Sequence, residues 1–443
     1  MKTCIKNATI INEGELKQAS VLISDERIQS IVPGDSSLPA DVTIDATDQY
    51  LMPGIIDSHV HFRQPGMEHK ADIKTESRAA AAGGITSFME MPNTNPATTT
   101  MERLREKQAI ASQDSLINFA FYLGATADNL REIETLDPKQ VAGVKVFMGS
   151  STGNLLVNQR DVLENIFQAS PIIIVAHCEE DSIINANLDM FKEKYGDDIP
   201  VKYHPVIRSE EACYTSSSLA VELAVKHNAN LHVLHLTTKK EMDLFKAGSI
   251  ETKKITGEAC VHHLWFSDAD YNQYGTRIKW NPAIKTRADR NALRGGLITK
   301  KLDIISTDHA PHLLKEKTAP YVNAASGGPM VQHSLQVILE LGKQGMISLP
   351  EIAEKMAHNP ALRFKIKDRG FIRKGYYADL VLINPRKPHT VSRENILYKC
   401  GWSPFEDQTF SHSISKTLVN GKLVFDGNQV VEEQVAMPLY FDR

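Results

Sequence analysis

The 443-residue sequence predicts an α/β fold, a (β/α)8 TIM barrel with a small composite β-sandwich formed by its N- and C-terminal segments. Three observations lead there. Eight apolar runs alternate with amphipathic segments from Leu51 onward, the first fifty residues carry only short strand patterns, and strand patterns return near the C-terminal end. Strands alternating with helices imply a parallel sheet, and eight such units suit a closed barrel.

The elements follow in order. CIKNATII, ASVLIS and RIQSIV read as strands, separated by the polar turns NEGE and PGDSS, with no helical period. The eight barrel runs are LMPGIIDSHVHF, GITSFMEMPN, INFAFYLGA, VAGVKVFMG, PIIIVAHCE, NLHVLHLTT, ITGEACVHHLWF and LDIISTDHAP. Between them MERLREKQAIASQ, RDVLENIFQA, SSLAVELAVKH and TKKEMDLFKAG each show one apolar stripe suited to a crossover helix. After a last helical stretch, EIAEKMAHNPALRF, the segments DLVLINP, SISKTLVNG and KLVFDGNQVV read as strands. Residues 1–53 and 371–443 are therefore expected to form the β-sandwich domain, and 54–370 the catalytic barrel. No fixed-period repeat or low-complexity linker is visible, which disfavours a solenoid.

Composition narrows the class. Hydrophobic residues at 42% and charged residues at 23% are ordinary for a soluble globular protein, and a net charge of -4 gives no sign of a nucleic-acid or membrane partner. The cysteines Cys4, Cys178, Cys213, Cys260 and Cys400 are far apart and odd in number, so a reducing, cytoplasmic setting without disulfides is expected. No stretch approaches the ~20 apolar residues of a membrane span.

The chemistry is concentrated at strand ends. His59 and His61 alternate with Val60, so both imidazoles point to one side of the first barrel strand. Alone, such a pair is as readily two inconsequential histidines as two metal ligands. His177 and His235 stand late in the fifth and sixth runs and Asp308 late in the eighth, where barrel strands deliver side chains to the C-terminal face. Singly, each reads as a structural histidine or a helix cap. Together, four histidines and an aspartate at one end of one barrel read as a metal site. Lys145 lies between Val144 and Val146, where an ammonium is costly to bury. Its bland reading is a snorkelling or ion-paired lysine; beside metal ligands, its amine can instead take up carbon dioxide and become a bridging carbamate.

These residues resemble the amidohydrolase superfamily and, within it, the dihydroorotase family. The resemblance spans nearly the whole chain and rests on DSHVHFRQPG, Asp57 to Gly66, together with STDHAPHLLKEK, Ser306 to Lys317. It implies a (β/α)8 barrel with a composite β-sandwich and two zinc ions per subunit, bridged by hydroxide and N6-carboxylated Lys145. His59, His61 and Asp308 would hold the more buried ion and His177 and His235 the other, with Asp308 as the catalytic proton carrier. Some members of the family bridge with a loop aspartate instead, but the corresponding run here, GSSTGNLL, has no acid, which favours Lys145. Arg63 would bind a substrate carboxylate, a geometry suited to guanidinium. Asn93, Asn281, His312, Gly327 and Gly328 would complete the substrate site, turn chemistry beside proline being the alternative for the two asparagines. The implied reaction is the reversible interconversion of L-dihydroorotate and N-carbamoyl-L-aspartate.

The rivals are an allantoinase or a dihydropyrimidinase, which share the metal shell, and a non-catalytic scaffold, which should have lost ligands. An allantoinase-like site would carry asparagine and cysteine where Arg63 and His312 stand. The expected partner is a small molecule bearing a carboxylate, with a homo-oligomer, taken as a dimer, as the expected assembly. The loop from Leu313 to Ser326 suits a mobile lid and a static surface loop equally.

Overall fold

The computed structural model describes residues 1–34, 38–151 and 153–443, so part of the PGDSS turn and Thr152 of GSSTGNLL lie outside the described residues. Each of the eight apolar runs contains a strand: Ile55–Val60, Ile85–Glu90, Asn118–Phe121 with Leu123–Gly124, Val144–Phe147, Ile174–His177, Leu231–Val233, Ile255–Cys260 and Ile304–Ser306. Successive strands pair in parallel. The third run serves two neighbours, Asn118–Phe121 pairing with the second strand and Leu123–Gly124 with the fourth.

Closure joins the eighth run to the first. Val60 bridges His309 in parallel, the His61 N–H donates to the His309 carbonyl at 2.7 Å, and Thr307 Oγ1 donates to the buried Asp57 at 2.6 Å. The strand residues are almost all buried, as expected of a parallel sheet covered by helices outside and filled by side chains inside.

Both ends of the chain meet beside the barrel in one eight-stranded sheet. Lys422–Phe425, Ser413–Val419, Leu380–Asn384, Tyr50–Pro53, Lys2–Asn12, Glu15–Ser24 and Arg27–Pro33 are neighbours in that order, and Val42–Asp45 adds to Lys2–Asn12. Ile5, Ile10, Val21, Ile23, Leu51, Leu380 and Leu418 share its core. This is the composite β-sandwich. The C-terminal segment then crosses to the barrel floor, where Leu439 and Phe441 pack with Ile56, Tyr122, Ile173 and Phe364. Leu439 N–H donates to Phe119 O at 2.8 Å, and the Arg443 guanidinium donates to the carbonyls of Pro138 and Ala142.

Two helical expectations are modified. TKKEMDLFKAG forms only a short 3-10 turn, Lys240–Leu244. The buried Glu241 carboxylate accepts from Thr237 N, Thr238 N and Ser217 Oγ, which binds the segment to the turn before it, and Gly248 at φ +138 ends it. EIAEKMAHNPALRF is helical but widens to a π turn over Glu354–His358. Pro360 has no N–H to continue the α pattern, and the Asn359 N–H reaches back to Glu354 O.

Candidate metal centre and substrate pocket

Because the strands run in parallel, their C-terminal ends deliver side chains to one mouth. A cavity of about 130 Å³ there is lined by His59, His61, Lys145, His177, His235 and Asp308. His59 and His61 face it while Val60 between them packs into the core. Nε2 of His59 and Nε2 of His61 each lie 3.2 Å from Asp308 Oδ1. The His235 ring centroid is 5.3 Å from that of His59 and 4.5 Å from that of His177. The convergence strains the backbone: Arg63, His235 and Asp308 sit at φ 70, 37 and 46, a region costing non-glycine residues ~1–3 kcal/mol each.

Three side chains orient the imidazoles. His59 Nδ1 lies 2.6 Å from Glu258 Oε1, whose carboxylate also meets His232 Nε2 at 3.2 Å and accepts from the His235 N–H. Buried Glu258 is held below the usual carboxylate range: burial raises it, but His59 and His232 outweigh that. A proton on Nδ1 of His59 then leaves the Nε2 lone pair facing Asp308. His61 Nδ1 is 2.7 Å from Asn93 Oδ1, with the same consequence. His177 Nε2 lies 2.9 Å from Glu179, which Arg208 grips with both Nε and Nη2 at 2.9 and 2.6 Å. Carboxylate-oriented histidines are a recurrent feature around metals. Glu258 and Glu179 went unnoticed in the sequence, although an acid inside the apolar runs ITGEACV and PIIIVAHCE is itself a signal, since a buried carboxylate requires partners.

Lys145 is 1% exposed, pairs with no carboxylate among the described residues, and has its Nζ 4.4 Å from the Phe147 ring centroid. Burial depresses its amine to about 7, so a substantial neutral fraction exists at neutral pH. The donor set fits a pair of divalent ions: convergent imidazole nitrogens, with the tautomers of His59, His61 and His177 fixed, a carboxylate, and an amine able to become a carbamate.

The remaining wall faces a substrate. Arg63 is 7% exposed and pairs with no carboxylate among the described residues. Its Nε donates to Pro311 O at 3.1 Å, and its Nη2 lies 3.1 Å from His312 Nε2. His312 is held well below the ordinary histidine range by burial, then by Arg63 and Lys70, and is a neutral neighbour. Asn93, Asn281, His312 and Gly327 line the cavity, and Asn281 Oδ1 is buried without a partner among the described residues. Gly328 does not line it. Gly328 packs beneath, where a Cβ would come within 2.8 Å of Trp280. The loop over the mouth contains the turn Leu314–Lys317 and is tied down by two lysines. Lys317 Nζ donates to the carbonyls of Lys279 and Ala325, and Lys279 Nζ to those of Tyr321 and Ala324, at 2.6–2.8 Å. That is an anchored loop.

Comparison with known proteins agrees with this architecture. Residues 50–424 match the Amidohydrolase family. A dihydroorotase from Halobacterium salinarum is 31% identical over 425 residues, covering 95% of this chain and 96% of its own. One from Methanosphaera stadtmanae is 30% identical, covering 91% of each. Among solved structures, an L-hydantoinase (dihydropyrimidinase) from Arthrobacter aurescens superposes with a TM-score of 0.92 at 25% identity over 99% of both chains. A dihydropyrimidinase from Brevibacillus agri gives 0.87 at 23% over 100% of both, a likeness of fold.

Proposed function

The chain belongs to the amidohydrolase family, and on that premise we propose that this cyclic amidohydrolase is a zinc-dependent dihydroorotase, interconverting L-dihydroorotate and N-carbamoyl-L-aspartate in pyrimidine (UMP) biosynthesis. One observation carries the choice of substrate: Arg63 is a buried guanidinium in the pocket with no carboxylate partner among the described residues. Burying an unpaired cation is expensive, so the pocket calls for an anionic ligand. Dihydroorotate brings a carboxylate; neutral dihydropyrimidine and hydantoin rings do not. The dihydroorotases similar to this chain support the same reading.

The residues divide the work. His59, His61 and Asp308 would hold one zinc ion and His177 and His235 the other, with carboxylated Lys145 shared between them. Metal ions bound there supply Lewis acidity toward the ring amide and lower the pKa of water to roughly 7. Arg63 takes the substrate carboxylate in a bidentate contact, with Asn281 and His312 beside it. Gly327, at φ 122, lines the cavity, and a Cβ there would come within 2.6 Å of Ala310 O. Asp308 takes a proton from the water that adds to the ring carbonyl and delivers it to the ring nitrogen as the amide C–N bond breaks; in cyclisation the nitrogen gives its proton to Asp308, the C–N bond forms and water leaves.

The test is a comparison of dihydroorotate, dihydrouracil and allantoin with zinc-loaded protein. Dihydroorotate should be hydrolysed and carbamoyl aspartate cyclised; turnover of the uncharged rings alone overturns the reading. Replacing Arg63→Met should lower kcat/KM for dihydroorotate by about 10²-fold or more while metal content is unchanged. Loss of metal would remove Arg63 from the substrate role.

A further inference from the structure

The seventh barrel strand ends at Cys260, and the helix Val261–Trp265 begins at once. This junction gathers a second set of donors. The ligand atoms of Cys260, His262 and His263 lie within 4.8 Å of one another, and all three residues are buried. None of them lines the substrate pocket.

His262 is fully buried, yet neither ring nitrogen has a hydrogen-bond partner among the described residues. A neutral imidazole carries one N–H and one lone pair, and leaving either unsatisfied in a protein interior costs ~1–3 kcal/mol. Its ring stacks on Trp280 at 4.4 Å and 13°, so it has little freedom to turn toward another partner. His263 Nε2 lies 3.0 Å from Pro282 O and must donate to it, which leaves an unpartnered lone pair on buried Nδ1. Cys260 is a free cysteine whose Sγ has a neighbour in Ser306 Oγ at 3.4 Å. Cys260 Sγ also donates to Glu258 Oε1 at 4.0 Å, the oxygen that meets His59 Nδ1 at 2.6 Å.

We propose that Cys260, His262 and His263 form a third metal site, separate from the pair in the pocket, for a borderline-soft divalent ion such as zinc. One thiolate and two imidazoles are donors that zinc takes in tetrahedral sites, with a fourth position left for water. Binding displaces the Cys260 thiol proton to solvent and gives both orphaned rings a partner. The expected effect is structural: the ion ties the end of the seventh strand to the helix that follows.

Cobalt(II) alone, loaded into metal-free full-length protein, tests this. A cobalt–thiolate pair absorbs strongly in the near ultraviolet, and the pocket pair offers no sulfur donor. The band therefore reports on this site whether or not the assignment of the pair holds. Wild-type protein should show the band with a further equivalent of bound metal. Cys260→Ser and His262→Gln should each lose band and equivalent; the second variant keeps the thiol. A wild-type spectrum without the band overturns the proposal and assigns the rings to ordered water. A band that survives in His262→Gln also overturns it, because the sulfur then serves another group.

Discussion

Glu258 decides how His59 presents itself. Its carboxylate meets Nδ1 of His59, Nε2 of His232 and the His235 N–H at once, so one buried acid sets the tautomer of one proposed ligand and the backbone position of another. Glu258→Gln should weaken metal affinity about 10–100-fold, as read by chelator competition, with the fold retained. Unchanged affinity would mean that packing alone orients the ring. The histidines themselves were legible in the sequence because alternation along a strand and position at its end are local properties. The partners of Glu258 come from the first and sixth strands, and no local pattern reports them. Arg63 was legible for its charge next to the His59 and His61 pair, but its burial without an ion pair among the described residues is a fact of three dimensions.

Among the elements, the loop over the mouth departs most from what composition suggests. Its Lys, Ala and Ser content fits mobility, yet Lys279 and Lys317 fasten it from within through four carbonyls. Burial lowers Lys279 from 10.5 to about 8, aided by nearby Arg208. Folded protein therefore sheds this proton first, and between about pH 8 and 10.5 the unfolded chain binds more protons. Stability contributed by this group rises with pH across that window. Urea unfolding of wild type and Lys279→Met at pH 8 and pH 10 should show the gap between them widening by ~1–2 kcal/mol at the higher pH. A constant gap would show that the amine keeps its charge. The helical stretches followed their apolar stripes where nothing else intervened, as in Arg160–Ala169. TKKEMDLFKAG failed as a helix because Glu241 is captured by Thr237, Thr238 and Ser217, a tertiary event that periodicity does not record.

For the molecule as a whole, eight apolar runs and flanking strand patterns were enough to give the barrel and its companion sheet, since both follow from hydrophobic period. The floor was not legible: the segment around Leu439 and Phe441 has too short a pattern to announce that it packs under the strands. Phe441 is 2% exposed there, and Phe441→Ala should cost ~3–5 kcal/mol of stability in denaturant melts while kcat/KM at 25 °C stays near wild type. A comparable loss of kcat/KM would mean that the floor shapes the mouth. The joined sheet also governs how the molecule comes together in time. Leu380–Asn384 pairs with Tyr50–Pro53, so forming this pair closes a loop that contains the whole intervening barrel. Contacts this distant in sequence slow folding. Refolding from urea should accordingly run in several phases, with secondary structure returning early and this sheet closing last, and the partly condensed barrel, its Tyr50–Pro53 edge still open, is the species exposed to aggregation.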